Sequence, residues 1–455
     1  MYNSPEWIST ALIYHIYPLG LTSAPFYNQY DQPSENRLEQ LYPWLDHLQW
    51  LGINTIFLGP ILQSRSHGYD VVDYFHIDRR LGDNHTFKFF SEAVHQRGMR
   101  IVLDAVFNHS SRDFFAFQDL LKNEQNSGYK DWYDGVQFGQ SSPAGDSFTY
   151  YTWDGYTDLP KFNLSNPDVV EHLFQAVRYW MEEWQIDGLR LDAADNLRLD
   201  FLKRLRKMTS ARREDFWLMG EVVHGQYQQW ANPQQLHSTT NYEAYKGLYS
   251  SFNDGNFFEI AHSLERQFGA GGLYRDLQLY NFVDNHDVNR IIDQIKNKKH
   301  LYLVYALLFC MPGIPSIYYG SEWGLHGVRS AHSDHALRPA IHLHQMINQA
   351  PEKDLPQFIQ NLAKFRAENP ALQRGSYYPA FIQSRQFGFW REFENNKVLV
   401  LINAGTEPFP TNPINIPEIT KKVTVFDRRT NFEIIESSIH AEIPPEWLAI
   451  FTFNC

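Results

Sequence analysis

Short apolar or β-branched runs recur along this chain, separated by longer stretches whose apolar residues return every three or four positions. Eight runs stand out: ALIYHIYPLG (11–20), INTIFLGP (53–60), RIVLDAVFN (100–108), DGLRLDAAD (187–195), WLMGEVV (217–223), NYEAYKGLY (241–249), LYNFVDNHD (279–287) and IPSIYYGSE (314–322). Between them lie helical patterns such as LDFLKRLRKMTSA, where Leu199, Leu202, Leu205 and Met208 fall on one side. Strand–helix alternation repeated eight times predicts an α/β protein built on a parallel (β/α)8 TIM barrel. One strand–helix unit fits between Asp192 and Glu221, and two fit between Glu221 and Asp287 if 241–249 is the strand between. From Asp104 to Asp192 there is far more chain than one unit needs. The excess, 110–165, is rich in Gly, Ser, Asp and aromatic residues and reads as a subdomain inserted after the third strand. Loops at that end of a barrel are where active sites are built.

Helical periodicity ends near NLAKFRAENPAL (361–372), and strand-like alternation takes over in FGFWREFENNKVLVLINAG, KKVTVFDRRTNFEII and EWLAIFTF, with a hairpin expected at Glu394-Asn395-Asn396. The predicted organisation is a barrel from 1–109 and 166–375, an insert at 110–165 and a C-terminal antiparallel β-sandwich at 376–455.

Composition narrows the field of functions. The 455 residues are 43% hydrophobic, enough for a large core, and the net charge of −12 excludes a global polyanion binder. The cluster Lys203, Arg204, Arg206, Lys207, Arg212, Arg213 therefore reads as a solvated helix face rather than a nucleic-acid surface. Cys310, in an apolar run, and Cys455, the last residue, cannot make a disulfide framework. With no signal-peptide pattern and no apolar run of membrane-spanning length, a cytoplasmic protein without membrane partners is expected. Aromatic residues reach 16%. Core filling accounts for most of them, while flat rings also suit stacking on sugars or bases.

Candidate chemistry sits at the ends of predicted strands. Asp192, Glu221 and Asp287 would converge on one mouth of the barrel. Paired carboxylates with separated pKa values suit glycosidic cleavage, one ionised to attack the anomeric carbon and one protonated to assist the leaving oxygen. Arg190 shares a strand face with Asp192 and should hold it ionised, whereas Trp217, Leu218 and Met219 give Glu221 an apolar setting that raises its pKa. His109 and His286 stand where imidazoles can hydrogen-bond sugar hydroxyls, which needs no metal. His67, His76, His85 and His95 lack zinc-like spacing.

The ordered segments DAVFNH (104–109), GLRLDAAD (188–195), GEVVH (220–224) and FVDNHD (282–287) resemble the four motifs of the α-amylase family, glycoside hydrolase family 13. SHGYDVVDYFHID (66–78), LPKFN (159–163) and GIPSIYYGSEWG (313–324) extend the likeness from about residue 11 to the C-terminus. LPKFN and GEVVH are nearest to the neopullulanase/cyclomaltodextrinase branch. The resemblance implies a retaining α-glucoside hydrolase with Asp192 as nucleophile, Glu221 as acid/base and Asp287 as transition-state stabiliser. It implies substrate-holding roles for Arg190, His109 and His286, a mainly structural Asp104 paired with Arg190, and Tyr69 stacked under the reacting sugar. Substrates would be malto-oligosaccharides, cyclodextrins or related cyclic α-glucans, joined through α-1,4 and in part α-1,6 bonds. Trp132, Tyr133, Phe138, Tyr150, Tyr151 and Trp153, in the insert, would wall the cleft.

That branch usually carries an additional N-terminal β domain, whereas here the first barrel strand begins near residue 11. After Asp192 the chain reads Ala193-Ala194-Asp195-Asn196, matching neither the Lys-His nor the Asn-Glu pair of related groups, so bond specificity stays open. No cofactor is required for this chemistry. Many family members hold a structural calcium with an asparagine at the position of Asn108, but calcium needs six or more oxygens, and one asparagine leaves the ion open. Two alternatives remain: a transglycosylase on the same site, and a non-catalytic sugar-binding relative, which the presence of all three acids disfavours. Linear or cyclic preference and oligomeric state are not readable from the residues.

Overall fold

The structure is a computed structural model that describes residues 4–331, 333–416, 422–427 and 429–454, so Cys455 lies outside the described residues. Eight parallel strands form its centre: β1 (Ile13–Ile16), β2 (Thr55–Leu58), β3 (Arg100–Ala105), β4 (Gly188–Leu191), β5 (Trp217–Gly220), β6 (Ser238–Thr239), β7 (Tyr280–Phe282) and β8 (Ile314–Tyr318). They pair in the order β6-β5-β4-β3-β2-β1-β8-β7, and a parallel bridge between Thr240 and Tyr280 closes the ring. Around it pack helices that include α1 (Asn84–Gln96), α2 (Pro167–Glu183), α3 (Leu199–Arg212), α4 (Tyr242–Asp254), α5 (His300–Cys310) and α6 (Leu355–Glu368).

One predicted strand is wrong. Residues 242–249 are helical and open α4, with Asn241 as its cap, while the sixth strand is the two-residue β6 just before them. The Asn241 side chain accepts from the Ala244 amide at 3.1 Å and caps the helix. Ala244, Leu248, Ser251 and Phe252 then return at helical spacing and are buried. The aromatic residues that suggested a strand, Tyr242, Tyr245 and Tyr249, have the same three-to-four spacing.

Alternation along each strand decides what enters the barrel. Ile13, Phe57, Val102, Trp217, Met219, Tyr280, Phe282 and Ile314 form an apolar plug inside it. The outward residues, such as Leu189, Leu191 and Leu218, join the larger core beneath the helices. Gly188 makes room for the plug, because a Cβ there would lie 2.7 Å from the Trp217 carbonyl oxygen. The strand register sets Arg190 of β4 directly beside Asp104 of β3. That pairing carries the chemistry above the plug.

Between β3 and α2 the chain forms the helix Phe115–Asn123 and two short antiparallel ribbons, Gln137–Phe138 with Phe148–Thr149 and Thr152–Trp153 with Tyr156–Pro160. Trp132 and Tyr133 are buried there, and Phe117 meets both Tyr133 and Tyr150 at 5.0 Å. Most of the aromatic residues expected to wall the cleft thus fill this segment's own interior.

Two antiparallel sheets follow. The first contains β9 (Ser376–Ile382), β10 (Gln386–Phe393), β11 (Asn396–Asn403), β14 (Lys422–Val425) and β17 (Trp447–Asn454); the second contains β12 (Phe409–Pro410), β13 (Ile414–Asn415), β15 (Asn431–Ile435) and β16 (Ser438–Ile443). Trp390, Leu399, Leu401, Ile439, Phe451 and Phe453 pack between them.

Two buried guanidinium groups meet the end of α5, Arg366 from α6 within the barrel and Arg391 from β10, which fastens the sheets to it. Arg366 donates to the carbonyls of Phe309 and Gly313 at 2.8 and 2.7 Å. Arg391 donates to those of Cys310, Gly375 and Ser376 at 2.7, 2.9 and 3.3 Å. Carbonyls at the end of α5, which the helix cannot satisfy itself, are thereby paired. Cys310 is buried in the same place, and burial pushes its thiol up to about 12. Arg391→Ala strands three carbonyls and is expected to cost about 2–4 kcal/mol. Scanning calorimetry should register a lower Tm, and a wild-type Tm would show that the contacts are replaceable by water.

Candidate active site

The mouth of the barrel above the plug gathers the charged residues that the strands deliver. Arg190 is fully buried at the end of β4. Its Nη1 donates to Asp104 at 2.7 Å and to Asp192 at 2.8 Å, while Nη2 lies 2.9 Å from Glu221. Three carboxylates from three adjacent strands therefore share one guanidinium. Ala193 adopts a left-handed conformation (φ 44°), which turns the chain sharply after Asp192. That turn lets the Ala193 amide donate to Glu221 Oε2 at 3.1 Å and the Ala194 amide donate to the Glu221 carbonyl at 3.0 Å.

A second group faces the first. His286 Nε2 lies 2.9 Å from Asp287 and is hydrogen-bonded to the Tyr69 hydroxyl. Tyr69 also donates to Asp104 at 3.0 Å, and its ring stacks on His286 at 5.4 Å with an interplanar angle of 12°. Tyr69 enters from the turn of a short ribbon, Leu62–Ser64 with Val71–Ile77, that follows β2. His109 Nε2 is 3.1 Å from the Tyr69 carbonyl. All eight residues singled out in the sequence, Asp104, Asp192, Glu221, Asp287, Tyr69, His109, Arg190 and His286, thus belong to one connected network.

Residues outside the sequence motifs complete it. Arg338, from the loop after β8, donates to Asp287 at 2.8 Å, to the His286 carbonyl at 3.1 Å and to Asp334 at 3.2 Å, and it lies over the Tyr17 ring at 4.8 Å. His15, pointing inward from β1, meets His286 edge-on at 5.2 Å. The Tyr242 hydroxyl accepts from Asn285 at 3.2 Å. Only His15 had a local signal, its place two residues after inward-facing Ile13. From the insert, Trp153 reaches the site, its ring 5.8 Å from His109.

These surroundings separate the carboxyls. Burial pushes Asp192 up to about 7, with Asp104 and Asp287 adding to the push. Arg190 pulls it toward ionisation, as expected, but its charge is divided among three carboxylates and burial prevails. Glu221 is also raised, by burial first and then by the negative charge of Asp192 and Asp287. Asp287 moves the other way. Burial opposes its ionisation but is outweighed by His286, Arg338 and Arg190, which hold it well below the usual carboxylate range. Burial keeps both imidazoles neutral, bringing His109 down to about 3 and lowering His286. The site can thus hold a proton on one acid while keeping another ionised.

The calcium that the resemblance associates with Asn108 finds no acidic ligand cluster among the described residues. Asn108 is buried, and its Oδ1 has no partner among the described residues. One amide oxygen supplies little of the six or more ligands calcium takes. Among the described residues no three His, Cys, Asp or Glu side chains gather as a metal site. In the insert, Asp146 is engaged by both terminal nitrogens of Arg112, at 2.7 and 2.8 Å. No helix among the described residues is long and apolar enough to cross a membrane.

Residues 37–364 match the family described as the α-amylase catalytic domain. A cyclomaltodextrinase of Bacillus sp. is 31% identical over 430 residues, which cover 89% of this chain and 74% of that protein. Among solved structures, the ligand-free cyclic α-maltosyl-(1→6)-maltose hydrolase of Arthrobacter globiformis superposes with a TM-score of 0.82 at 26% identity, covering 99% of this chain and 100% of that one. The debranching enzyme of Nostoc punctiforme gives a TM-score of 0.83 at 27% identity, with 100% of both chains covered.

The raised acid at Asp192 has a consequence for stability. Its folded state holds a proton more tightly than the unfolded chain, whose Asp titrates near ~4. Ionisation therefore costs stability as pH climbs from there through about 7. Asp192→Asn removes that cost and should raise Tm on the order of 2 °C at pH 8, with the gain shrinking toward nothing at pH 4. Thermal melts across that range test it, and a gain largest at pH 4 would refute the assignment.

Proposed function

Since the chain belongs to the α-amylase family of glycoside hydrolases, we propose that it is a retaining α-glucoside hydrolase of malto-oligosaccharides and cyclic α-glucans. Asp192 is the nucleophile, Glu221 the acid/base and Asp287 the carboxylate that stabilises the developing positive charge. The observation that carries this reading is the shared guanidinium of Arg190, bonded to Asp192 through one terminal nitrogen and close to Glu221 through the other. Such sharing supports the short carboxylate separation of retaining enzymes, about 5–5.5 Å.

In the first step an Asp192 oxygen bonds to the anomeric carbon as the glycosidic C–O bond breaks. Glu221 gives its proton to the departing oxygen, and the Ala193 amide steadies the carboxylate left behind. Positive charge on the sugar ring is met by Asp287, which His286 and Arg338 keep ionised. In the second step Glu221 takes a proton from water, the water oxygen bonds to the anomeric carbon, and Asp192 departs. Two inversions return the original anomer. Tyr69, held by Asp104 and His286, supplies a ring face beside the reacting sugar.

The neighbours' own substrates, a cyclodextrin ring and a cyclic maltosyl-maltose, support small and cyclic α-glucans with α-1,4 bonds and some α-1,6 bonds. One panel tests the reading: α-, β- and γ-cyclodextrin, starch, pullulan, maltotriose and isomaltose, with product linkages and the anomer first released followed by NMR. The expected first product is the α-anomer; a β-anomer rules out the double displacement. Early products from maltotriose longer than the substrate would assign transfer in place of hydrolysis. Asp192→Asn should lower kcat by about a thousandfold or more. Glu221→Gln should retain far more activity on substrates with good leaving groups than on maltotriose. Equal losses on both would remove Glu221 from the acid role.

A further inference from the structure

The loop that leaves β1 carries two large aromatic rings at the surface, Phe26 at 45% and Tyr27 at 65% exposure. Here the backbone beneath them is anchored by a buried ion pair. Arg80 donates to Asp78 through Nε at 2.9 Å and Nη2 at 2.7 Å, and to the Ser64 hydroxyl at 2.8 Å. Its Nη1 reaches the carbonyls of Pro25 at 2.9 Å and Phe26 at 2.6 Å. Just beyond, the Asn28 side chain donates to Asp78 at 3.2 Å and to the Ser64 carbonyl at 2.8 Å. A desolvated guanidinium thus fixes the backbone that bears the rings, and the rings are left facing water.

Their position relates them to the site. Phe26 meets Tyr27 edge-on at 4.8 Å and His335 at 5.3 Å. His335 follows Asp334, which pairs with Arg338, and Arg338 pairs with Asp287. Around the closed ring, β1 is four strands from β5 in either direction, so this loop rises opposite the strand that delivers Glu221. An acid that protonates the leaving oxygen stands on the leaving-group side. With the leaving group over β5, the rim above β1 lies on the side of the non-reducing part.

We infer that Phe26 and Tyr27 form a stacking platform for the distal, non-reducing glucosyl units of an α-1,4-glucan whose cleaved bond lies at Asp192. The inference rests on the hydrolase reading above and adds chain-length selection to it. The apolar face of a glucose ring covers an aromatic face without requiring any polar group to be buried unpaired.

In the double variant Phe26→Ala/Tyr27→Ala, the ratio of kcat/KM for maltoheptaose to that for maltotriose should fall about tenfold. Phe26→Trp with Tyr27→Phe keeps the rings and should keep the ratio. An unchanged ratio in the alanine variant, including equal losses on both sugars, overturns the platform. So does a ring-preserving variant that loses as much as the alanine one. Calorimetric titration of maltoheptaose into Asp192→Asn, with and without the alanine pair, separates this result from failure of the hydrolase reading. If the wild type cleaves no α-glucan yet the alanine pair still weakens binding about tenfold, the reaction is wrong and the platform stands. If cleavage proceeds and neither ratio nor Kd moves, the platform alone is wrong.

Discussion

The site depends on one buried cation. Arg190 cannot leave β4 without depriving the buried carboxyls of Asp104, Asp192 and Glu221 of the cation they share. Its place follows from strand register: β4 beside β3 brings it to Asp104, and two residues further along the same face comes Asp192. A slip of one residue in β4 would send Arg190 and Asp192 to the helix side. The apolar plug beneath is thus part of the electrostatics. Trp217, Phe282 and Ile314 fill the lower barrel, hold the register, and confine the charges to the mouth.

Charge balance at that mouth shapes the chemistry. Asp104, Asp192, Glu221 and Asp287 face the guanidinium groups of Arg190 and Arg338, with neutral imidazoles between them. Four carboxylates cannot all ionise cheaply against two cations in a low-dielectric pocket, so a proton is retained. Placement decides who holds it. Asp287 has Arg338 and His286 close by, while Asp192 and Glu221 must share Arg190 with Asp104. The acids are told apart by how much of a cation each can claim.

Most of this was legible in the chain because parallel strands buried on both faces read as short apolar runs, and because Asp192, Glu221 and Asp287 lie at or just beyond the ends of such runs. Where the pattern misled, the cause is local. β6 is two polar residues, Ser238 and Thr239, with no hydrophobic signature, and the tyrosines of α4 next to it supply a false one. Arg338 was invisible for a different reason: it reaches Asp287 from a loop, and nothing in a loop's periodicity says which way a long side chain turns. The insert's aromatic residues were legible as a cluster but not as an interior, since a small subdomain needs its own core before it can wall anything.

The grip of Arg391 on the end of α5 also orders events during synthesis. Cys310 and its neighbours leave the ribosome about 80 residues before the side chain that pairs with them. Until then the last turn of that helix presents the Cys310 carbonyl without its partner at the base of an otherwise closed barrel. The nascent barrel therefore stays half-capped until β10 is made, so its base is finished by a residue of the sheet and not by one of its own.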